Sequence, residues 1–522
     1  MADSVTTTMT GADALVATLA DNGVDACFAN PGTSEMHLVT ALDRETRINS
    51  VLCLFEGVAT GAADGYARIA GKPAMTLLHL GAGYLNGGAN IHNAKRAHTP
   101  MINVIGDHAV DHRKYDAPLN SDIIGLAGPN SVWIKSADSV GVTGKLAAEA
   151  FAASHGPVSG PVSLVLPADS AWLEGGEKGG KATIPSLRQT PKEKIDAAVA
   201  AIGAAKSPVV IINGTALTEE GLAAGARLKA AGVRVMTDTF YWKMRRGAGV
   251  FTPDRMQYFA EAAMADLEGT DLMLTAGTSL PAAFFAYPGK PSLLVPEGCK
   301  TLDLGGADTD SATTLAILAD ALGAKESAPP AALDKPSAPT GDLNAVAVGA
   351  SVARHMPENA IVSDDGVSNS LPVFLSTQNT EPHDWMMLTG GAIGQGLPLA
   401  LGASVAAPDR KVIALSGDGA GMYTNQALWS MVREGCDVTV IVFVNHTYRI
   451  LNIELHRTGA GNPGPTAKDM LAIGEPDIDW VSLAQGMGVP STAVTTAEEF
   501  EASFEEAMKQ KGPRLIAALV PG

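Results

Sequence analysis

Short apolar runs alternate along the chain with longer stretches in which apolar positions recur every three or four residues. Gly11 to Asn22 has the helical period and stops at Gly23, and VDACFAN follows it as a strand. Further on, PVVIING, VRVMTD, DLMLTAG and SLLVPEG read as strands separated by Ala-rich helical stretches. Beyond them KVIALSGDG predicts a strand, a helix is expected around Met422 to Glu434, and DVTVIVFVN returns as a strand. These runs are apolar throughout rather than alternating. That pattern marks strands covered on both faces, as in parallel sheets between layers of helices.

Two stretches interrupt the pattern. Residues 174–193 (EGGEKGGKATIPSLRQTPKE) lack any hydrophobic period, and residues 325–342 (KESAPPAALDKPSAPTGD) hold four prolines. Proline has no backbone donor and restricts the residue before it, so both read as linkers. They divide the chain into domains at 1–180, 190–325 and 342–522. The expected fold is α/β, with three doubly wound parallel-sheet domains in series.

Composition changes this picture in two ways. The 522 residues include 56 glycines, which suits many tight strand–helix turns, and the net charge is −18. So acidic a chain without a basic cluster is a poor match for nucleic acid or an anionic membrane, and neither is expected as a partner. Cys27, Cys53, Cys299 and Cys436 are widely spaced with no CxxC, as in a reducing compartment. The start, MADSVTTTMTGADALV, has no basic region leading into an apolar core, and no run is long enough to span a bilayer. A cytoplasmic protein is the expectation.

The candidate chemistry is concentrated in the last segment. Gly417-Asp418-Gly419 closes one strand, and about 25 residues further on a second strand ends at Asn445. In an open parallel sheet both would reach the crevice outside the strands' carboxyl ends. Asp418 offers a carboxylate oxygen and Asn445 an amide oxygen, the hard donors that Mg²⁺ prefers beside phosphate. The glycines let backbone approach a phosphate closely, and the following helix start adds donors.

GDGAGMYTNQALWSMVREGCDVTVIVFVNHTY resembles the signature of the thiamine-diphosphate (ThDP) enzymes, and the resemblance extends over the whole chain. Their order of pyrimidine, middle and diphosphate domains fits the three segments. The resemblance implies Mg²⁺ ligands at Asp418, Asn445 and the carbonyl of Thr447, with cofactor contacts from Gly417, Gly419, Ala420 and Tyr448. It also implies a catalytic glutamate, which LFEGVATGAADGYAR supplies as Glu56. A carboxylate against the aminopyrimidine N1′ favours the imino form, whose N4′ takes the proton from C2 of the thiazolium. TGGAIGQGLPLALG resembles the family element that holds the cofactor bent, with Ile393 as the bulky residue and Gly391 beside it.

Substrate residues follow from narrower likenesses. NPGTSE places Thr33 where benzoylformate decarboxylases carry Ser, and LLHLGAGYLNGG places His79 at their pocket histidine. Imidazole, titrating near neutrality, suits proton transfer or carboxylate binding. Ile450 and Leu451 fall where family pockets face substrate, next to Arg449. There are departures as well. Phe284 stands where benzoylformate decarboxylases have a second pocket histidine. YDAPLNSDIIGL resembles the corresponding acetolactate synthase segment but has Pro118 in place of an aromatic residue, and Asp107 replaces a Gln. No flavin signature is present, so FAD is not expected.

The resemblance therefore implies an enzyme using ThDP and Mg²⁺ to decarboxylate a 2-oxo acid. The resulting enamine would be joined to a second carbonyl, as in acetolactate synthase. A benzoylformate-type simple decarboxylase and an acyl-CoA lyase or decarboxylase are the alternatives, and the partner molecule is a small 2-oxo acid or aldehyde. A homodimer or homotetramer with active sites at subunit interfaces is expected.

Overall fold

The computed structural model describes residues 8–522; residues 1–7, the beginning of the amino-terminal stretch read above, lie outside the described residues. The fold is α/β, with three sheets dominated by parallel pairs. Two compact units are present. One contains the chain through Ser186 together with Thr389–Asp409 and Thr424–Val438, and the other contains Leu187–Leu388, Arg410–Tyr423 and Thr439–Gly522.

In the first unit a six-stranded sheet runs in the order Asn49–Leu52, Ala26–Asn30, Ala74–Leu78, Met101–Asp107, Pro161–Pro167, Trp133–Ser136. The first strand in sequence thus has its successors on opposite sides, which creates a topological switch point between Ala26–Asn30 and Ala74–Leu78. The helix Gly396–Ala406 packs against the helix Glu56–Ala70, and glycine makes the approach possible. A Cβ on Gly65 would lie 2.0 Å from the Leu399 carbonyl oxygen, and one on Gly402 would lie 1.8 Å from that of Ala62. Part of the glycine excess is therefore a helix-packing device.

The second unit holds two sheets. The five-stranded one runs Asp254–Arg255, Arg234–Thr237, Pro208–Ile212, Leu272–Ala276, Lys300–Asp303. SLLVPEG, expected as a strand, is not one. Pro291 and Pro296 flank its apolar residues, and Lys300–Asp303 takes the place beside Leu272–Ala276. Leu294 is still buried, with its N–H donated to the Pro281 carbonyl at 2.8 Å.

The seven-stranded sheet runs Ser491–Val494, Arg514–Leu519, Val438–Val444, Val412–Gly417, Ile361–Asp365, His383–Met386, Met244–Arg246. Its last strand comes from the middle segment and pairs antiparallel with His383–Met386, an edge that no period in the sequence announced. The helix expected at Met422 to Glu434 is also shorter: a single turn, Asp418–Gly421, precedes a helix confined to Ala427–Arg433. Between them the Thr424 hydroxyl bonds the Gly394 carbonyl at 2.7 Å instead of continuing the helical turn.

Behind the edge strand, His383 is fully buried, with Nδ1 at 2.7 Å from the Glu381 carbonyl. Burial, reinforced by the Arg246 charge, pushes its pKa down to about 3. The folded state therefore takes up this proton later than the unfolded chain does. The contribution to stability is complete above the ordinary value near 6.5 and is lost as pH falls from there toward 3. His383→Asn keeps a donor for Glu381 but does not titrate. Melting curves from pH 7 to pH 4 should fall more steeply for the wild type, the gap reaching about 2 kcal/mol at pH 5. Parallel acid limbs would contradict this.

Candidate active site

Each unit gathers its candidate residues at the carboxyl ends of its strands. In the first, the strand Asn49–Leu52 leads to Glu56, the first residue of its helix and only 7% exposed. Its Oε2 accepts from Asn86 Nδ2 at 3.0 Å. A Cβ on Gly83 would come 3.2 Å from Oε1, so a bare backbone lies beside the carboxylate. The helix start itself favours a negative charge here.

The loops at the switch point of this sheet bring Thr33, Glu35 and His79 together. Glu35 is completely buried, and its carboxylate accepts from Gly32 N, Ser34 Oγ and His79 Nδ1, each at 2.8 Å. A Cβ on Gly106 would sit 1.8 Å from Glu35 Oε1, so glycine is required to admit that side chain. His79 immediately precedes the helix Leu80–Arg96, and the next residue, buried Leu80, has φ +49°. Non-glycine residues rarely adopt that conformation, and such strain clusters at functional sites. Thr33 is exposed on the same turn.

Gly391 and Ile393 lie in a loop pinned to helices of the same unit. Asn93 Nδ2 donates to the Ala392 carbonyl at 2.9 Å, and Gln395 Nε2 donates to Asp64 at 2.6 Å. Arg68, fully buried and paired with Asp64 at 2.7 Å, reaches Thr389 Oγ1 at 3.0 Å. Gly391 is in the left-handed region at φ +74°, and Ile393 is half-buried.

In the second unit, Asp418 is 4% exposed and accepts three backbone N–H bonds. Oδ1 takes Gly419 N at 2.8 Å, while Oδ2 takes Asn445 N at 3.0 Å and His446 N at 2.8 Å. His446 has φ +58°, and this left-handed residue turns two successive amides toward one oxygen. Asn445 Oδ1 accepts from Thr447 N at 3.2 Å, closing the turn. Burial raises the Asp418 carboxyl above its ordinary range, against the lowering effect of the three amides. A Cβ on Gly419 would meet the Tyr448 ring at 2.5 Å, so the glycine turn stays bare under that ring. Gly417 and Ala420 belong to the same turn.

Ile450 and Leu451 ride on the helix Arg449–Arg457, which buries none of its residues; Ile450 is half-buried, and Leu451 and Arg449 are exposed. Glu454 of this helix accepts from the Tyr287 hydroxyl at 2.8 Å, and the Arg457 guanidinium lies 4.1 Å from the Phe259 ring centroid. Phe284 stands in an aromatic cluster, 5.1 Å from Phe240 and 5.0 Å from Tyr258.

Residues 9–126 match the N-terminal TPP binding domain of thiamine pyrophosphate enzymes, and residues 368–518 match the C-terminal TPP binding domain. A Mycobacterium tuberculosis protein provisionally named acetolactate synthase large subunit IlvX is 48% identical, over 98% of this chain and 99% of its own length. The chain belongs to the thiamine pyrophosphate enzyme family. Benzoylformate decarboxylase of Pseudomonas aeruginosa is 27% identical over 95% of this chain and 96% of its own. Among solved structures, the ThDP-dependent 4-hydroxybenzoylformate decarboxylase of Rhodococcus jostii RHA1 shares the fold. Its TM-score is 0.87 over 98% of this chain and 99% of that one, at 24% identity.

Membership in this thiamine pyrophosphate family makes ThDP the cofactor, and the residues present fit it. Carboxylate, amide and carbonyl oxygens at Asp418, Asn445 and Thr447 would be a hard donor set for Mg²⁺, the family's usual ion, were it held here. The bare Gly417–Gly419 turn offers backbone to a diphosphate. Bound, the cofactor supplies a carbon nucleophile and an electron sink for decarboxylation.

Sequence reasoning missed Glu35, Asn86 and the left-handed His446. NPGTSE ends at Glu35 without giving it a role, and only the strand order reveals that His79 closes on it. Among the described residues, no helix is long and apolar enough to cross a membrane.

Proposed function

We propose that this enzyme decarboxylates a 2-oxo acid with ThDP and Mg²⁺ and joins the remaining fragment to a second carbonyl, in the manner of acetolactate synthase. The observation that carries the reading is the presence in one chain of two features at strand ends. One is a carboxylate at a helix start, Glu56; the other is an oxygen-donor turn at Asp418, Asn445 and Thr447. The name of the relative at 48% identity and the segment from Asp116 to Gly125 support ligation as the fate of the fragment. Active sites shared between two copies, in a homodimer or a homotetramer, belong to the same reading.

A second reading, simple decarboxylation to an aldehyde, is favoured by the Glu35–His79 contact. With Nδ1–H donated to a buried carboxylate, Nε2 is the ring atom left to give or take a proton. Incubation with ThDP, Mg²⁺ and a panel of 2-oxo acids separates the two readings by product. CO₂ with a hydroxyketone supports ligation, and CO₂ with free aldehyde supports protonation. In the second case His79→Ala and Glu35→Gln should both cut aldehyde release by about 10²-fold, within the usual range for a proton-transfer group. No CO₂ from any substrate, with cofactor bound, would reject both readings.

A further inference from the structure

The switch point of the seven-stranded sheet lies between Ile361–Asp365 and Val412–Gly417, since the strands that follow Ile361–Asp365 fall on its two sides. Ligands of open parallel sheets bind at such points, and both flanking loops take part in forming the crevice. One loop is the Gly417–Gly419 turn. The other, Gly366 to Ser370, has no role in the assignments above.

That second loop is held under strain. Val367, a β-branched residue, has φ +51° and is 38% exposed. Such a conformation is a genuine outlier for valine and persists only where its surroundings enforce it. The enforcement is visible. Asp364, the next-to-last residue of the strand, is buried and gathers the loop around its carboxylate. It accepts from Gly366 N at 3.3 Å, from the Ser370 hydroxyl and from Trp385 Nε1 at 3.1 Å. A Cβ on Gly366 would fall 2.6 Å from Ser370 Oγ, so the loop closes tightly on this anchor.

Behind Asp364 stand aromatic residues of the last segment and arginines of the middle one. Trp385 is fully buried and packs edge-on against Phe374 at 5.2 Å. The buried Arg246 guanidinium lies 3.7 Å from the Phe374 ring centroid and donates to the Phe374 carbonyl at 2.8 Å. Arg255 stacks on the same ring at 4.5 Å. Burial raises the Asp364 carboxyl above its ordinary range, and its hydrogen bonds and the Arg255 charge oppose that rise. A turn needing no preset shape would place glycine at 367 and would not bury a carboxylate beneath it.

We propose that Asp364 is a positioning residue that holds the Gly366–Ser370 loop in its strained form for the diphosphate of ThDP. Arg246 and Arg255 brace the anchor from behind. This rests on the reading of the Asp418 edge as the diphosphate site.

The test is calorimetric titration of the full-length protein with ThDP and Mg²⁺, with inorganic diphosphate and thiamine as separate probes. Asp364→Asn keeps the shape of the side chain and removes its charge. It should weaken ThDP and inorganic diphosphate about tenfold and leave thiamine unaffected. Val367→Gly should raise the melting temperature of the cofactor-free protein and yet weaken ThDP several-fold, because the loop is no longer preset. A merely structural role would lower melting and weaken all three probes alike. Wild-type affinity for ThDP in both variants would overturn the proposal while leaving the site reading intact. Failure of the wild type to bind ThDP would overturn both.

Discussion

Replacing Glu56 by Gln is expected to lower turnover on any accepted 2-oxo acid by about 10²- to 10⁴-fold, the range that a positioned proton-transfer group contributes. The substitution is nearly isosteric. An amide oxygen can still accept from Asn86 Nδ2, now 3.0 Å from the carboxylate, and the helix Glu56–Ala70 keeps its packing on Gly396–Ala406. What disappears is the negative charge that would favour the imino form of the aminopyrimidine. An acid at a helix start also stabilises the helix, but only by about 0.3–1 kcal/mol. The two roles therefore predict different results. A helix-end role gives a slightly lower melting temperature and normal turnover. The proton-transfer role gives nearly normal melting, retained ThDP binding and almost no turnover. Steady-state kinetics alongside a melting curve decides between them, and wild-type turnover would remove Glu56 from the chemistry.

The contrast between Glu56 and Glu35 shows what the sequence could disclose. Glu56 is reached through the resemblance of LFEGVATGAADGYAR to a family segment, and the structure puts it at a helix start just past a strand end. Glu35 acquires meaning only from the order of strands, which brings a loop at residue 35 against one at residue 79. The apolar runs VDACFAN, PVVIING, VRVMTD, DLMLTAG, KVIALSGDG and DVTVIVFVN are all strands, because burial on both faces demands such runs. The same reasoning failed at SLLVPEG, where apolar content is satisfied by burial of Leu294 without a ladder. Positive φ values at His446, Val367 and Leu80 left no mark, because none of them is glycine. The GDG turn was legible for the opposite reason: glycine announces a close approach, here to the Tyr448 ring. The edge strand Met244–Arg246 is three residues long and is recruited by a sheet built largely from the last segment, beyond the reach of local periodicity.

Asp418 should show the second large effect, and its two obvious substitutions should separate metal binding from folding. Asp418→Ala removes the acceptor of three backbone amides, those of Gly419, Asn445 and His446. A buried donor left unpaired costs about 1–3 kcal/mol, so this variant should lose roughly 3 kcal/mol or more of stability. The left-handed turn at His446, no longer tied to an oxygen, should relax with it. Asp418→Asn retains one oxygen able to accept but has no charge, and its NH₂ group faces donors. It should fold, with lower stability, and bind ThDP in the presence of Mg²⁺ at least 100-fold more weakly, about 2.7 kcal/mol. The loss should be specific to the metal. Raising Mg²⁺ should restore ThDP binding in the wild type after chelation, and do little for the Asn variant. Titrations of ThDP at several Mg²⁺ concentrations, with melting followed in parallel, provide the measurement. Metal-dependent binding at wild-type strength in Asp418→Asn would mean that the carboxylate only braces the turn. The Mg²⁺ donor set would then have to be sought elsewhere along the strand ends.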